Sequence, residues 1–414
     1  MRRAAVSRNQ FRVLETEALF LLIERAPIAM SLTQSESQNR TGLSEVSFQD
    51  FQLEQFVDEL GQNARLRASH DVWPATTWEQ CMQAGVPRWF APASKGDTVI
   101  GGWDWSPAER LKGLMGIASA DLTTAFVLTQ FVAAISRMVN SDNTLLHEQV
   151  LPELMTGDQF ATVGISHLAT SRQHLARPVL RAEPVQGGWN GKLDSYILNG
   201  VAPWVTGVSV ADVVVVGAVC DDGREMIFAV PVDLPGIEYG DGAPLVALSG
   251  SGTDQLEFNQ VTIGSEWIVS GPSEPAHRSQ SNGKPSTGTG SLQTSALAIG
   301  LSRSAIGYLR SNCDERPNLL GPTDAFETEL RQLEGHVLAA ADGTASEDVM
   351  QIRNAANDLV IRSTQAALVA AKGAGYVHQH HVGRWCREAL FFLVWSCPQE
   401  LTMSRVCELS GMAS

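Results

Sequence analysis

The 414-residue chain is too long for one comfortable core and too short for four, so two or three packed units are expected. An apolar content of 44% with 18% charged residues excludes wholesale disorder and a fibrous repeat. Forty-five acidic side chains against thirty basic ones leave a net charge of -15, a field that repels nucleic acid phosphates and anionic lipid surfaces, so neither is expected as a partner.

The cysteines Cys81, Cys220, Cys313, Cys386, Cys397 and Cys407 form no CxxC pair and no zinc-like spacing. Their scatter suits reduced thiols in a reducing, cytoplasmic setting, and no metal site is expected. No uninterrupted run of 18 apolar residues occurs, so no membrane span is expected. Residues 1–46 open with Arg2, Arg3, Arg8 and Arg12 and end in a polar tract, while Glu15, Glu17 and Glu24 argue against a secretory signal. They read as a poorly ordered extension.

Residues 47–160 carry helical periodicity. Leu111, Leu114, Met115, Leu122, Ala125, Phe126, Leu128, Val132 and Ile135 recur at steps of three and four, as buried helices require. Residues 161–270 switch to a period of two and predict an antiparallel β domain. Asn190-Gly191 and Asn199-Gly200 are the hairpin-turn signals, because both residue types tolerate positive φ. A Val-rich run ends at Cys220, turns through Asp221, Asp222 and Gly223, and returns over Glu225 to Pro231; a further strand is expected over Gln255 to Ile263. Residues 271–290 are dense in Ser, Gly and Pro and read as a linker or loop. From 291 to 414 helical periodicity returns and predicts a four-helix bundle whose last helix runs from about Arg384 to Trp395. The fold class is therefore α+β: helices, sheet, bundle.

In that order the chain resembles the acyl-CoA dehydrogenase superfamily of flavoproteins, from about Phe48 to Leu409. The segment Tyr196 to Gly207 carries Asn199, Gly200, Trp204 and Thr206 at the family's spacing; Gly157-Asp158, Val230-Pro231 with Gly236, Glu315-Arg316 with Pro322 and Phe326, Gly373, Gly375 and Tyr376, and Arg387 to Ala389 supply further matches. The resemblance implies FAD, an acyl-CoA or similar acyl substrate, an electron-transfer flavoprotein as partner, and a homodimer or homotetramer. It implies that Trp204 covers the isoalloxazine ring, that Thr206 and Ser166 reach its polar edge, that Thr170 or Ser171 meets the diphosphate, and that Arg316 reaches the cofactor of a neighbouring subunit beside Gly373 and Gly375.

The sequence departs from the family at the catalytic carboxylate. Ser396 occupies the usual place of the Glu, and the alternative place falls near Gly290-Ser291. Val369, Lys372 and Pro398 replace the bundle's usual Gln, Gly and Thr. The nearest carboxylates, Glu388 and Glu400, are the candidate bases, although a solvated helix position is the commoner fate of such residues. Without a base, two alternatives stand beside the dehydrogenase: a two-component flavin monooxygenase or oxidase on the same fold, with His167, His174 and His378 as polar candidates, and a non-catalytic scaffold.

Overall fold

The computed structural model describes residues 45–169 except Ala68, 179–185, 195–274, 291–395 except Ser346, and 399–412. The N-terminal extension, the Asn190-Gly191 turn and most of the Ser/Gly/Pro-rich stretch lie outside the described residues.

Helices α1 (Leu53–Leu66), α2 (Ala75–Gln83), α3 (Pro107–Ala120), α4 (Leu122–Asn140) and α5 (Leu151–Thr156) build the first region. Its core includes an aromatic cluster in which Trp89 and Trp105 stack at 4.5 Å, so the Trp-rich loop before α3 is buried rather than solvated. That loop also holds a small hairpin, β1 (Ser94–Lys95) with β2 (Thr98–Val99), which helical periodicity does not reveal. The start of α3 is fixed by a capping box: Ser106 accepts from the Glu109 amide, the Glu109 carboxylate accepts from the Ser106 amide, and Pro107 takes the first helical position.

Asp121 interrupts the helical run with extended backbone, and α4 then continues for 19 residues. By length and mean hydropathy, 1.5, α4 could cross a bilayer, but 78% of that stretch is buried in the protein. A helix apolar on nearly every side belongs in a core. Here α4 packs on β3 (Ala161–Gly164) and on the first bundle helix.

A short helix, α6 (Ser166–Ala169), follows β3. The remaining strands are β4 (Leu180–Pro184), β5 (Ser195–Val205), β6 (Val213–Val219), β7 (Glu225–Pro231), β8 (Ile237–Tyr239), β9 (Asp254–Gly264) and β10 (Ile268–Ser273). Among the described residues they join in the order β10-β7-β6-β4-β5-β9-β8, with β3 also paired to β6. Most pairs are antiparallel as expected, but β3 and β4 both run parallel to β6, which makes the sheet mixed. The β6–β7 hairpin forms as expected, and β10 carries the sheet to Ser273, just past the expected boundary.

Asn199-Gly200 is not a turn. Both residues lie inside β5, where the pairing with β9 shifts register between Leu198 and Gly200. Gly200 has φ +126°, and a β-carbon there would sit 2.0 Å from the Val179 carbonyl oxygen. The same positive-φ tolerance that signals a hairpin serves a β-bulge here.

The last region comprises α7 (Ser291–Ser311), α8 (Leu320–Ala341), α9 (Val349–Gly375), α10 (His381–Ala389) and α11 (Gln399–Leu409). The expected fourth bundle helix is instead α10 followed by a 3-10 turn, Leu390–Leu393. Helix α7 ties the bundle to the first region: Ser304 donates to the Ser119 carbonyl of α3 at 2.5 Å. Ser141 and Asn143, just past α4, donate to the Val269 and Ile268 carbonyls of β10 at 2.6 and 2.9 Å.

Candidate functional site: a cavity where helices, sheet and bundle meet

A cavity of about 850 Å³ opens where α4, the sheet and the end of α10 converge. Helix α4 supplies one wall, since Phe126, Thr129, Gln130, Ala133, Ser136 and Arg137 recur at helical steps on its cavity face. The first turn of α3, set by its capping box, adds Arg110 and Leu111. Across from them stand Ser166, Trp204 and Thr206 from the sheet side, and Leu292, Gln293 and Thr294 from the start of α7. One end is aromatic: Phe126 meets Phe391 edge-on at 4.7 Å and Trp395 at 5.2 Å, and Phe391 stacks on Trp395 at 4.9 Å.

Of the sequence candidates, Ser166, Trp204 and Thr206 are brought together on this cavity. Trp204 is 52% exposed although it lies in a strand between buried Pro203 and Val205, so its indole face is open to a ligand. Thr206 is buried and accepts from Thr253 at 3.1 Å. Its own hydroxyl hydrogen has no acceptor among the described residues, leaving a buried donor at the cavity wall. An open indole beside an unmet hydroxyl donor fits a flat aromatic group with acceptor atoms on its edge. Thr170, Ser171 and His174 lie outside the described residues.

Arg316, Gly373 and Gly375 gather elsewhere, on the outer end of α9. Arg316 donates to the Ala370 carbonyl at 2.6 Å and to the Asn312 side chain. A β-carbon at Gly373 would meet nothing within 4 Å, which leaves open space one turn past Ala370. Gly375 is different: it is buried, and a β-carbon there would press on Ala371 Cβ at 2.7 Å and Leu368 at 2.9 Å, so packing demands its glycine.

Glu388 does not line the cavity. Glu388 is buried and pairs with Arg384 at 3.3 Å. Burial pushes its carboxyl pKa up, partly offset by Arg384. The side chain of Glu400, in α11, and Ser396 lie outside the described set. His167 is buried with Nε2 at 2.7 Å from the Gly217 carbonyl oxygen, and His378 is exposed; neither lines the cavity. Among the described residues, no group of His, Cys, Asp and Glu is placed to hold a metal ion.

Three cavity residues, Arg110, Arg137 and Arg387, are not marked as site residues by the sequence. Burial lowers the pKa of Arg110, against the pull of Asp104 and Glu109, and lowers that of Arg137. The one available signal is a single charged residue, Arg137, in the otherwise uncharged helix α4. Among the described residues, no Asp, Glu, His or Cys lines the cavity.

No protein-family model matches the chain. It is 24% identical over 216 residues to the probable acyl-CoA dehydrogenase YngJ of Bacillus subtilis, a match spanning 47% of this chain and 56% of that protein. The chain thus spans little more than half the length of that relative. In three dimensions it is similar to butyryl-CoA dehydrogenase from Megasphaera elsdenii, with a TM-score of 0.69 and 16% identity over 89% of this chain and 99% of that one. The prolyl acyl carrier protein oxidase AnaB is similar too, with a TM-score of 0.67 and 16% identity over 87% of this chain and 99% of that one.

Proposed function

We propose, from the acyl-CoA dehydrogenase fold that this chain adopts, that the protein is a flavin-dependent oxidoreductase acting on an acyl-CoA or similar acyl thioester. The observation that carries this reading is the open Trp204 indole beside the unmet Thr206 hydroxyl donor, on one wall of a largely apolar cavity. In this reading Trp204 covers the flavin ring and Thr206, with Ser166, meets its polar edge. Thr170 and Ser171 reach the diphosphate, and Arg316 and Gly373 meet the FAD of a neighbouring subunit in a homodimer or homotetramer. When bound, FAD supplies a two-electron acceptor, whose electrons then pass to an electron-transfer flavoprotein. The aromatic end formed by Phe126, Phe391 and Trp395 excludes water from the acyl group and orients it.

The test is spectroscopic. Protein reconstituted with FAD should be yellow, and anaerobic mixing with acyl-CoA compounds should bleach the flavin. A colourless protein after reconstitution would overturn the reading.

A second reading, a two-component flavin monooxygenase on the same fold, is favoured by the absence of Asp, Glu, His and Cys among the described cavity residues. A positioned general base is worth roughly 10²–10⁴-fold in rate, and dehydrogenation that begins with α-proton removal depends on one. Bleaching without oxygen excludes the monooxygenase, and the reoxidation of the bleached flavin then decides the rest: slow with oxygen in a dehydrogenase, fast in an oxidase. A flavin inert to acyl-CoA, yet consuming oxygen once reduced by an added reductant, favours the second reading.

A further inference from the structure

The cavity's charge does not follow the chain's. Acidic residues outnumber basic ones 45 to 30 overall, yet Arg110, Arg137 and Arg387 line the cavity with no described carboxylate among them. Elsewhere part-buried arginines meet a carboxylate, as Arg67 meets Asp121 at 2.9 Å, Arg303 Glu334 at 2.6 Å and Arg384 Glu388 at 3.3 Å, or a neutral acceptor, as Arg88 meets the Gly101 carbonyl, Arg353 the Trp395 carbonyl and Arg316 the Ala370 carbonyl. Arg110 and Arg137 have no ion pair or hydrogen bond with a described residue, and the buried Nε of Arg110 is without an acceptor. Removing guanidinium groups from water without a partner is costly, which is why such groups are normally paired.

We infer that the substrate carries an oxyanion, a carboxylate or a phosphate, that Arg110 and Arg137 receive. The inference rests on the reading of this cavity as the substrate site. Arg137 follows Phe126 by eleven positions on α4, a rise of roughly 16 Å, so this guanidinium stands away from the aromatic end along one wall, while Arg387 lies one turn before Phe391. The ligand class is an amphiphilic anion, with an apolar body along α4 and the charge at the Arg137 end, beside the Ser136 hydroxyl. The guanidinium fork suits both oxyanions.

The protein, with and without FAD, is titrated calorimetrically with octanoate and with the neutral octanamide. Octanoate should bind at least about tenfold more tightly, and Arg110→Gln and Arg137→Gln should each weaken it by about tenfold to a hundredfold. Octanamide binding should hold steady, and Arg137→Lys should restore part of the octanoate affinity. A parallel titration with 4′-phosphopantetheine separates the sources of the anion: arginine dependence there, and not for octanoate, assigns the charge to a carrier-arm phosphate, and the reverse assigns it to an acyl carboxylate. Equal binding of acid and amide, with neither anion sensitive to the arginines, would overturn the proposal. Loss of flavin binding alone would sink the flavin reading while leaving the anion result to stand, because calorimetry on the FAD-free protein does not depend on it.

Discussion

Arg384 of α10 sets Nη1 against the His70 ring, 2.7 Å from Nδ1 and nearer to Nε2, joining a bundle helix to the loop after α1. Arg67 approaches Nδ1 at 2.5 Å. An imidazole that accepts from a guanidinium through one ring nitrogen must be neutral. Burial first, then Arg384 and Arg67, lowers the His70 pKa from 6.5 to about 4, against an upward pull from Asp121.

The sign of the pH effect follows. In the unfolded chain His70 takes up a proton near pH 6.5, while in the fold it resists until about pH 4. Its contribution to stability is therefore fully present above pH 6.5 and is lost as pH falls toward 4. His381, stacked on His380 at 4.5 Å and lowered to about 4 by burial and then by His380, acts in the same direction. Glu388, with its raised pKa, acts in the opposite one. The thermal midpoint should drop between pH 6.5 and 4, and the drop should be smaller in His70→Gln. A variant whose pH profile parallels that of the wild type would contradict this account.

Asp121 anchors the same network. It is buried and accepts from Nη1 and Nη2 of Arg67, at 2.9 and 3.1 Å, and from Thr124 at 2.7 Å. Burial pushes its carboxyl pKa up, but Arg67, Thr124 and Arg384 together outweigh it and hold the carboxylate below its usual range. Asp121→Ala leaves Arg67 uncompensated and should cost about 3–5 kcal/mol, read from denaturant unfolding. A loss below about 1 kcal/mol would mean that the pair behaves like an exposed one.

The order of helices, sheet and bundle was legible because burial period follows the backbone: steps of three and four along α4, steps of two along β9. Turn chemistry was less decisive. Asp221-Asp222-Gly223 closes a hairpin, whereas Asn199-Gly200 supports a bulge, since positive φ is common to both and only the sheet partners decide between them. Trp204 and Thr206 could be placed on a site because their motif is local in sequence. Arg110, Arg137 and Arg387 could not, because their shared cavity exists only once α3, α4 and α10 have packed.

Trp204 offers a ligand contact without a structural duty. Its half-exposed indole gives the fold little, so Trp204→Ala should leave the midpoint of the flavin-free protein nearly unchanged. An aromatic pair is worth about 0.5–1.5 kcal/mol beyond its buried area, so FAD affinity should fall by at least about threefold to tenfold. Absorbance titration measures this, and unchanged affinity would remove Trp204 from the flavin site.

Lys372 is the clearest site of backbone strain. It has φ +54° and ψ -143° inside α9, a region nearly reserved for glycine, and it stands where the resembled family places one. The kink it forms turns the chain toward Gly373 and the tight approach of Gly375 to Gly383, where a β-carbon on Gly383 would lie 2.5 Å from the Gly375 carbonyl oxygen. Such a backbone costs about 1–3 kcal/mol in a residue with a β-carbon. Glycine's greater freedom in the unfolded chain returns about 0.5–1 kcal/mol of that. Lys372→Gly should therefore stabilise the protein by up to about 2 kcal/mol, seen as a higher denaturant midpoint with an unchanged slope. The side chain is exposed, so its removal breaks no packing. A destabilised Lys372→Gly variant would show that the lysine ammonium, rather than the backbone, holds this corner in place.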